Sequence, residues 1–224
     1  MANKDWLAWH GPYEDPESPL IHRLRAVQRL IRSALDQARP GPIAAISICA
    51  GQGRDLLGVL ADHPRAADVA ARLVELDPRN AAIASEAASR ANLGGVEVVA
   101  GDASIASAYA GAVPANLLLA CGVFGNISDR DIARTIVYLP RLCAPGATMI
   151  WTRHRRSPDH TITIRQWLAR RGFEEIDFIS PANTWAVGAH RFVGIPKPFK
   201  PGAKLFTFID RPADRPAASP GTSL

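Results

Sequence analysis

The chain has 224 residues, enough for one sizeable core and short of two ordinary domains. Hydrophobic residues make up 47% and charged residues 21%, the balance of a globular, soluble chain. The formal net charge of +5 and a pI near 9.5 invite a nucleic-acid partner, but the basic residues are scattered over the first helix, 153–156 and 197–204, which reads as a solvated basic surface.

No apolar run approaches the roughly 18 residues of a membrane span. The opening stretch MANKDWLAWHGPYEDPESP is polar and aromatic and lacks the basic-then-apolar order of a signal peptide. Cys49, Cys121 and Cys143 stand far apart, with no ligand spacing, so neither a metal site nor a disulfide framework is expected. A reducing cytoplasm fits.

Residues 1–39 read as an N-terminal arm and helix that act as a lid. Trp6, Trp9, His10 and Tyr13 belong to the arm. Ser18 before Pro19 is an N-cap followed by proline in the first turn. Leu20, Leu24, Val27, Ile31 and Leu35 then repeat at helical spacing, with Arg25, Arg29 and Arg32 largely off that stripe.

From residue 40 to 210 strands and helices alternate. IAAISIC (43–49) is a buried strand ended by the turn AGQGRD, and DLLGVLADH is the helix after it. ARLVEL (71–76) is the second strand, with Asp77 before Pro78 capping a helix over 80–92 that Gly94 and Gly95 stop. VEVVA (96–100) and ANLLLAC (115–121) are the third and fourth strands. Residues 129–143 are helical, bent or ended by Pro140. ATMIWTR (147–153) is the fifth strand and 163–172 a helix. FEEIDFIS and WAVGAHRFVG are two late strands, too close together for a crossover helix and therefore antiparallel. KLFTFI (204–209) is a candidate edge strand, and residues 211–224 read as a disordered tail. The alternation means βαβ units: an α/β, mostly parallel sheet with helices on both faces.

In such a sheet ligands bind beyond the carboxyl ends of the strands. Four ends carry suitable residues. In the first, Gly51 and Gly53 permit close backbone approach to a ligand or, equally, a tight turn. Leu56 occupies the third small position of a dinucleotide fingerprint, where a bulky side chain obstructs the helix–strand packing that form needs. No phosphate-loop lysine pattern occurs. At the second end Glu75 can accept two ribose hydroxyls, or be a solvated carboxylate. At the third Asp102 can accept from an adenine amine, or cap a turn. The fourth, Cys121–Asn126, is small enough to pass beneath a ligand.

SICAGQGRD, LVELDPRN, VVAGDAS, LLLACGVFGNISD, LCAPGATMIWTR and RGFEEIDFI, spanning residues 43–194, together resemble class I S-adenosylmethionine-dependent methyltransferases. The resemblance implies a Rossmann-like, doubly wound seven-stranded sheet with one antiparallel strand, and S-adenosyl-L-methionine as cofactor. It implies cofactor contacts from Ala50, Gly51, Gly53 and Asp55 to the methionine part. Glu75 and Leu76 would lie at the ribose, Asp102 and Ala103 at the adenine, and Cys121, Gly122 and Val123 beneath the cofactor. The chain departs from the family's first motif, with Ser47 in the acidic place and Cys49 in the first glycine place. Arg54, Asp55 or the arm can compensate at the methionine end.

Methyl transfer needs alignment and water exclusion, and a base only when the nucleophile arrives protonated. His154 is the candidate general base. Asn126 and Tyr13 are further catalytic candidates, and the arm's aromatics are candidates for an apolar lid, or for packing outside the first helix. Small insertions and no RNA-binding appendage point to a small-molecule acceptor rather than nucleic acid, and to no membrane. Other readings stay open: transfer or cyclisation of the cofactor's aminocarboxypropyl arm, an RNA methyltransferase, or a non-catalytic binding module.

Overall fold

The computed structural model describes residues 5–181 and 184–209. The expected tail, 211–224, lies outside them. Twelve regular elements follow in chain order: α1 (Pro19–Asp36), β1 (Ile43–Ile48), α2 (Leu56–Leu60), β2 (Val69–Glu75), α3 (Pro78–Arg90), β3 (Val96–Ala100), β4 (Ala115–Ala120), α4 (Asp129–Tyr138), β5 (Cys143–His154), α5 (Thr161–Ala169), β6 (Phe173–Ile179) and β7 (Trp185–Phe192). A 3₁₀ segment, Ala8–Glu14, precedes α1.

The strands form one seven-stranded sheet in the order β3-β2-β1-β4-β5-β7-β6. The β1, β2, β3, β4 and β5 pairings are parallel, and β7 runs antiparallel to both β5 and β6. β1 has β2 on one side and β4 on the other, so the chain reverses its direction of travel across the sheet there. The crevice beyond the carboxyl ends of β1 and β4 is the topological switch point.

Both sheet faces are covered. Val27, Leu30, Ile31 and Leu35 of α1 pack with α2, α3 and the sheet residues Leu73, Leu119 and Val187. On the other face Ile132 and Ile136 of α4 and Ile164 and Leu168 of α5 pack with Ile46, Leu118, Met149 and Trp151. Alternating sheet residues serve the two faces, which is why the strands read as continuous apolar runs.

Caps set the helix starts. The Ser18 side chain accepts from the Leu20 amide with Pro19 at the first position, and Asp77 accepts from the Arg79 amide before α3. α3 stops at Arg90, before the expected glycines, because Asn92 takes the left-handed conformation at φ 53°. α4 gives way to a 3₁₀ turn around Pro140. α2 is shorter than expected, since the chain turns at Ala61 toward β2.

One expected strand is absent. Residues 204–209 do not join the sheet; they make two isolated bridges, Lys204 to Ile105 and Phe208 to Ile127. The segment runs across the loops after β3 and β4, with Leu205 N–H donating to Ser104 O and Ile209 N–H to Asn126 O. Its backbone groups are satisfied by the loops rather than by a neighbouring strand.

Gly95 sits where β3 begins, and a Cβ there would lie 2.3 Å from Val69 O, a backbone atom that cannot yield. Gly95→Ala is expected to destabilise the fold by about 2 kcal/mol or more, measured by denaturant unfolding. Gly94→Ala, which meets nothing within 4 Å, is the control.

Candidate functional site

The first loop is shaped by three residues in the left-handed region: Cys49 (φ 55°), Gly51 (φ 56°) and Gly53 (φ 69°). Glu75, 7% exposed at the end of β2, locks it. Its Oε2 accepts from the Gly51 amide at 2.8 Å and its Oε1 from the Asp77 amide at 2.9 Å. These charge-assisted bonds offset the cost of burying the carboxylate. Each oxygen retains acceptor capacity for another donor.

A cavity opens at the switch point. Of the expected residues it is lined by Tyr13, Ala50, Gly51, Asp55, Glu75, Leu76, Asp102, Ala103, Cys121, Gly122 and Asn126. Asp102 Oδ1 accepts from the Ser104 amide at 2.8 Å, which holds the third loop in a turn. Asp55 accepts from the Leu56 amide at 2.8 Å and bonds the Cys121 side chain, joining the first and fourth loops. Burial raises the Asp55 carboxyl above its ordinary range and the Cys121 thiol well above its own. Burial also raises Tyr13, whose hydroxyl accepts from Arg23 at 3.1 Å.

Three expected residues are not in that lining. Gly53 is buried, and a Cβ there would meet Leu57 and Leu73 at 2.7–3.0 Å, so the glycine serves loop packing. Val123 is fully buried in the core. His154 lines a neighbouring cleft, beside Gly125. That cleft shares Trp9, Arg23, Gly122, Asn126 and Thr152 with the cavity, so the two are contiguous. Asn126 stands between them, its Nδ2 donating to Gly122 O at 2.6 Å. His160 lies apart, 3.2 Å from Asp129.

Arg23, Gln52, Asn80, Thr152 and Phe208 also line the cavity. Thr152 Oγ1 accepts from the Gly122 amide at 2.8 Å, tying the fourth loop to β5. Asn80, in the first turn of α3, is fully buried, and its Nδ2 has no hydrogen-bond partner among the described residues. Its signal was hidden beside the capping residue Asp77, where asparagine reads as helix-start chemistry. Arg23 sits next to apolar-stripe positions and reads as solvated.

The arm forms one wall. Trp6, Trp9, His10 and Tyr13 face the cavity, and Trp6 packs on Phe208 at 5.4 Å between ring centroids. Arg54 pairs with Glu14 at 2.6 Å, and Arg79 with Asp5 at 2.9 Å. The arm and the 204–209 segment thus meet over the loops.

His10 makes the arm's close contact with the first loop. Its Nδ1 is 2.7 Å from the Trp6 carbonyl, which only accepts, so Nδ1 carries the proton. Nε2 faces Gly51 so closely that a Cβ there would be 2.5 Å away. Burial lowers the His10 pKa from its ordinary 6.5, opposed by the Trp6 carbonyl and Glu75.

No protein-family model matches the chain, and no curated protein matches it significantly. Solved structures do. An O-methyltransferase family protein from Burkholderia thailandensis superposes with a TM-score of 0.65 at 17% identity, over 84% of this chain and 60% of that one. The fold is a methyltransferase fold. A magnesium protoporphyrin IX methyltransferase from Synechocystis with bound SAM gives a TM-score of 0.62 at 11% identity, over 82% of this chain and 88% of that one. An rRNA methylase from Streptococcus thermophilus gives 0.56 at 10% identity, over 73% and 95%. The chain therefore spans 60% of the length of the first of these structures and most of the other two. Among the described residues no helix is long and apolar enough to cross a membrane, and no group of three or more metal-binding side chains occurs.

Protonating His10 costs more in the docked arm than in a free one. Docking is therefore fully favoured above pH 6.5 and weakens as pH falls from 6.5 through the lowered value. Hydrogen exchange of residues 5–14, corrected for intrinsic rates, is expected to speed up over that window, and His10→Gln to remove the dependence.

Proposed function

We propose that this chain binds S-adenosylmethionine at the switch point and transfers its methyl group to a small organic acceptor. The observation that carries the reading is the order of groups along the cavity: a left-handed loop at Gly51, a buried carboxylate at Glu75, and Asp102 one strand further on. The buried, unpartnered Nδ2 of Asn80 beside them is a donor that a ligand oxygen would satisfy. The methyltransferase fold, which a neighbour displays with bound SAM, supports the same reading.

In this reading Ala50, Gly51 and the buried Asp55 meet the methionine end, where Asp55 supplies the acidic group missing at Ser47. Glu75 takes ribose hydroxyls on its remaining lone pairs. Leu76 and Ala103 flank the adenine and Asp102 accepts from its amine. Cys121 and Gly122 pass beneath. Gly53 and Val123 support the loops from behind. Bound there, the cofactor supplies a sulfonium-activated methyl group.

The chain's own work is positioning and exclusion. Trp6, Trp9 and Phe208 cover the cavity and keep water out. Asn126 stands at the junction with the cleft, where it can orient an acceptor by hydrogen bonding. His154, on the cleft side, takes up the proton of an acceptor that arrives protonated. Acceptors that are already ionised need no base.

Incubation with S-adenosylmethionine and an acceptor panel, followed by mass spectrometry, tests the reaction. S-adenosylhomocysteine is expected in equal amount to methylated acceptor. Methylthioadenosine instead would mean that the aminocarboxypropyl arm is used. Neither product, with cofactor bound, would mean a binding module.

A further inference from the structure

The cleft beside the cavity has a charge pattern of its own. Arg23, Arg153 and Arg156 line it, together with His154, and no aspartate or glutamate does so among the described residues. Arg153 is 2% exposed and donates to the Phe124 carbonyl, so its guanidinium is fixed against the fourth loop. Arg23 bonds the Tyr13 hydroxyl and lies 6.0 Å from the Trp9 ring centroid. Arg156 is exposed at the rim and makes no ion pair with a described residue. Of the acids around it, Asp159 pairs with Arg155 at 2.6 Å and Asp129 with His160 at 3.2 Å, while Asp55, in the adjoining cavity, interacts with Arg23 and leaves Arg153 and Arg156 to the cleft. Trp9 and Trp185 add ring surface to the walls.

We propose that this cleft is the acceptor site and that the acceptor is a small aromatic carboxylate. The proposal rests on the reading of the adjoining cavity as the cofactor site. Cations set into low-dielectric walls attract and orient anions, and a guanidinium matches a carboxylate through two parallel hydrogen bonds. Three cations around a cleft that no described carboxylate lines disfavour a cationic acceptor and favour an anion. The aromatic walls suit a planar body. Because the cleft shares Gly122, Asn126 and Thr152 with the cavity, a molecule anchored by its carboxylate at the arginines places its remaining atoms at the cavity mouth. Such an arrangement fixes register, which is what alignment for transfer requires.

The test is calorimetric titration of the full chain with 4-hydroxybenzoate and with its neutral analogue 4-hydroxybenzamide, each with and without S-adenosylhomocysteine. The carboxylate is expected to bind about ten-fold or more tightly than the amide, the scale of one charge-assisted pair. Arg156→Gln, at an exposed position that leaves folding intact, is expected to remove most of that preference without changing amide or S-adenosylhomocysteine binding. Arg156→Lys is expected to keep part of it.

Equal binding of the two probes overturns the proposal. So does equal loss of both in Arg156→Gln, or no binding of the carboxylate up to about 10 mM, a range that reaches even weak anchoring. Each of those results with S-adenosylhomocysteine still bound leaves the cofactor reading standing. A retained carboxylate preference without S-adenosylhomocysteine binding removes the cofactor reading and with it the acceptor role. Displacement of the carboxylate by single-stranded RNA, with steep salt dependence, overturns the proposal in favour of a phosphate-backbone site.

Discussion

A buried carboxylate organises the mouth of this sheet. Glu75 ends β2, and its two oxygens take the amides of Gly51 and Asp77. One side chain therefore sets the first loop against the second and starts the approach to α3. The loop can meet it only because Cys49, Gly51 and Gly53 turn through the left-handed region. Cys49 does so with a side chain, a conformation that costs a non-glycine residue energy and persists where surrounding structure imposes it. Asp55 and Cys121 continue the linkage to β4, and Thr152 carries it to β5. The floor of the cavity is thus a chain of polar contacts across neighbouring strand ends, with the apolar core beneath it.

The roof is built differently. The exposed ion pairs that anchor the arm are individually weak. What gives the arm its place is ring packing, among Trp6, Trp9, His10 and Tyr13 and onto Phe208, together with the close fit of His10 on Gly51. The two terminal segments depend on each other, because Phe208 is held by its bridge to Ile127 while Trp6 packs on its ring. A rigid floor with a roof held by few contacts suits a site that must admit a ligand and then exclude water.

The sheet was legible because each strand is a short apolar run between turn residues and helical patterns, and the antiparallel end followed from the short link between the last two runs. The strand-end residues were legible because position at a carboxyl end constrains what a side chain can meet. Residues placed by tertiary structure were not. KLFTFI has a strand's composition, yet the loops after β3 and β4 take up its backbone. Asn80, Thr152 and Arg23 gain their places only when α3, β5 and α1 close on one cavity, and nothing in their local pattern marks this. Gly53 and Val123 share the signature of their loops but face the interior, a distinction that spacing does not carry. His154 is marked by its place at the end of the fifth strand, and the fold puts it in the cleft beside the cavity.

The central claim is that the loop from Ala50 to Asp55 is a cofactor cradle and more than a turn. Calorimetric titration with S-adenosylhomocysteine and, separately, NAD, for the native chain and for Glu75→Ala, tests it most directly. The account predicts that S-adenosylhomocysteine binds, that NAD does not, and that the variant loses most of the binding while remaining folded by circular dichroism. A native chain that binds neither ligand, or that prefers NAD, would contradict it.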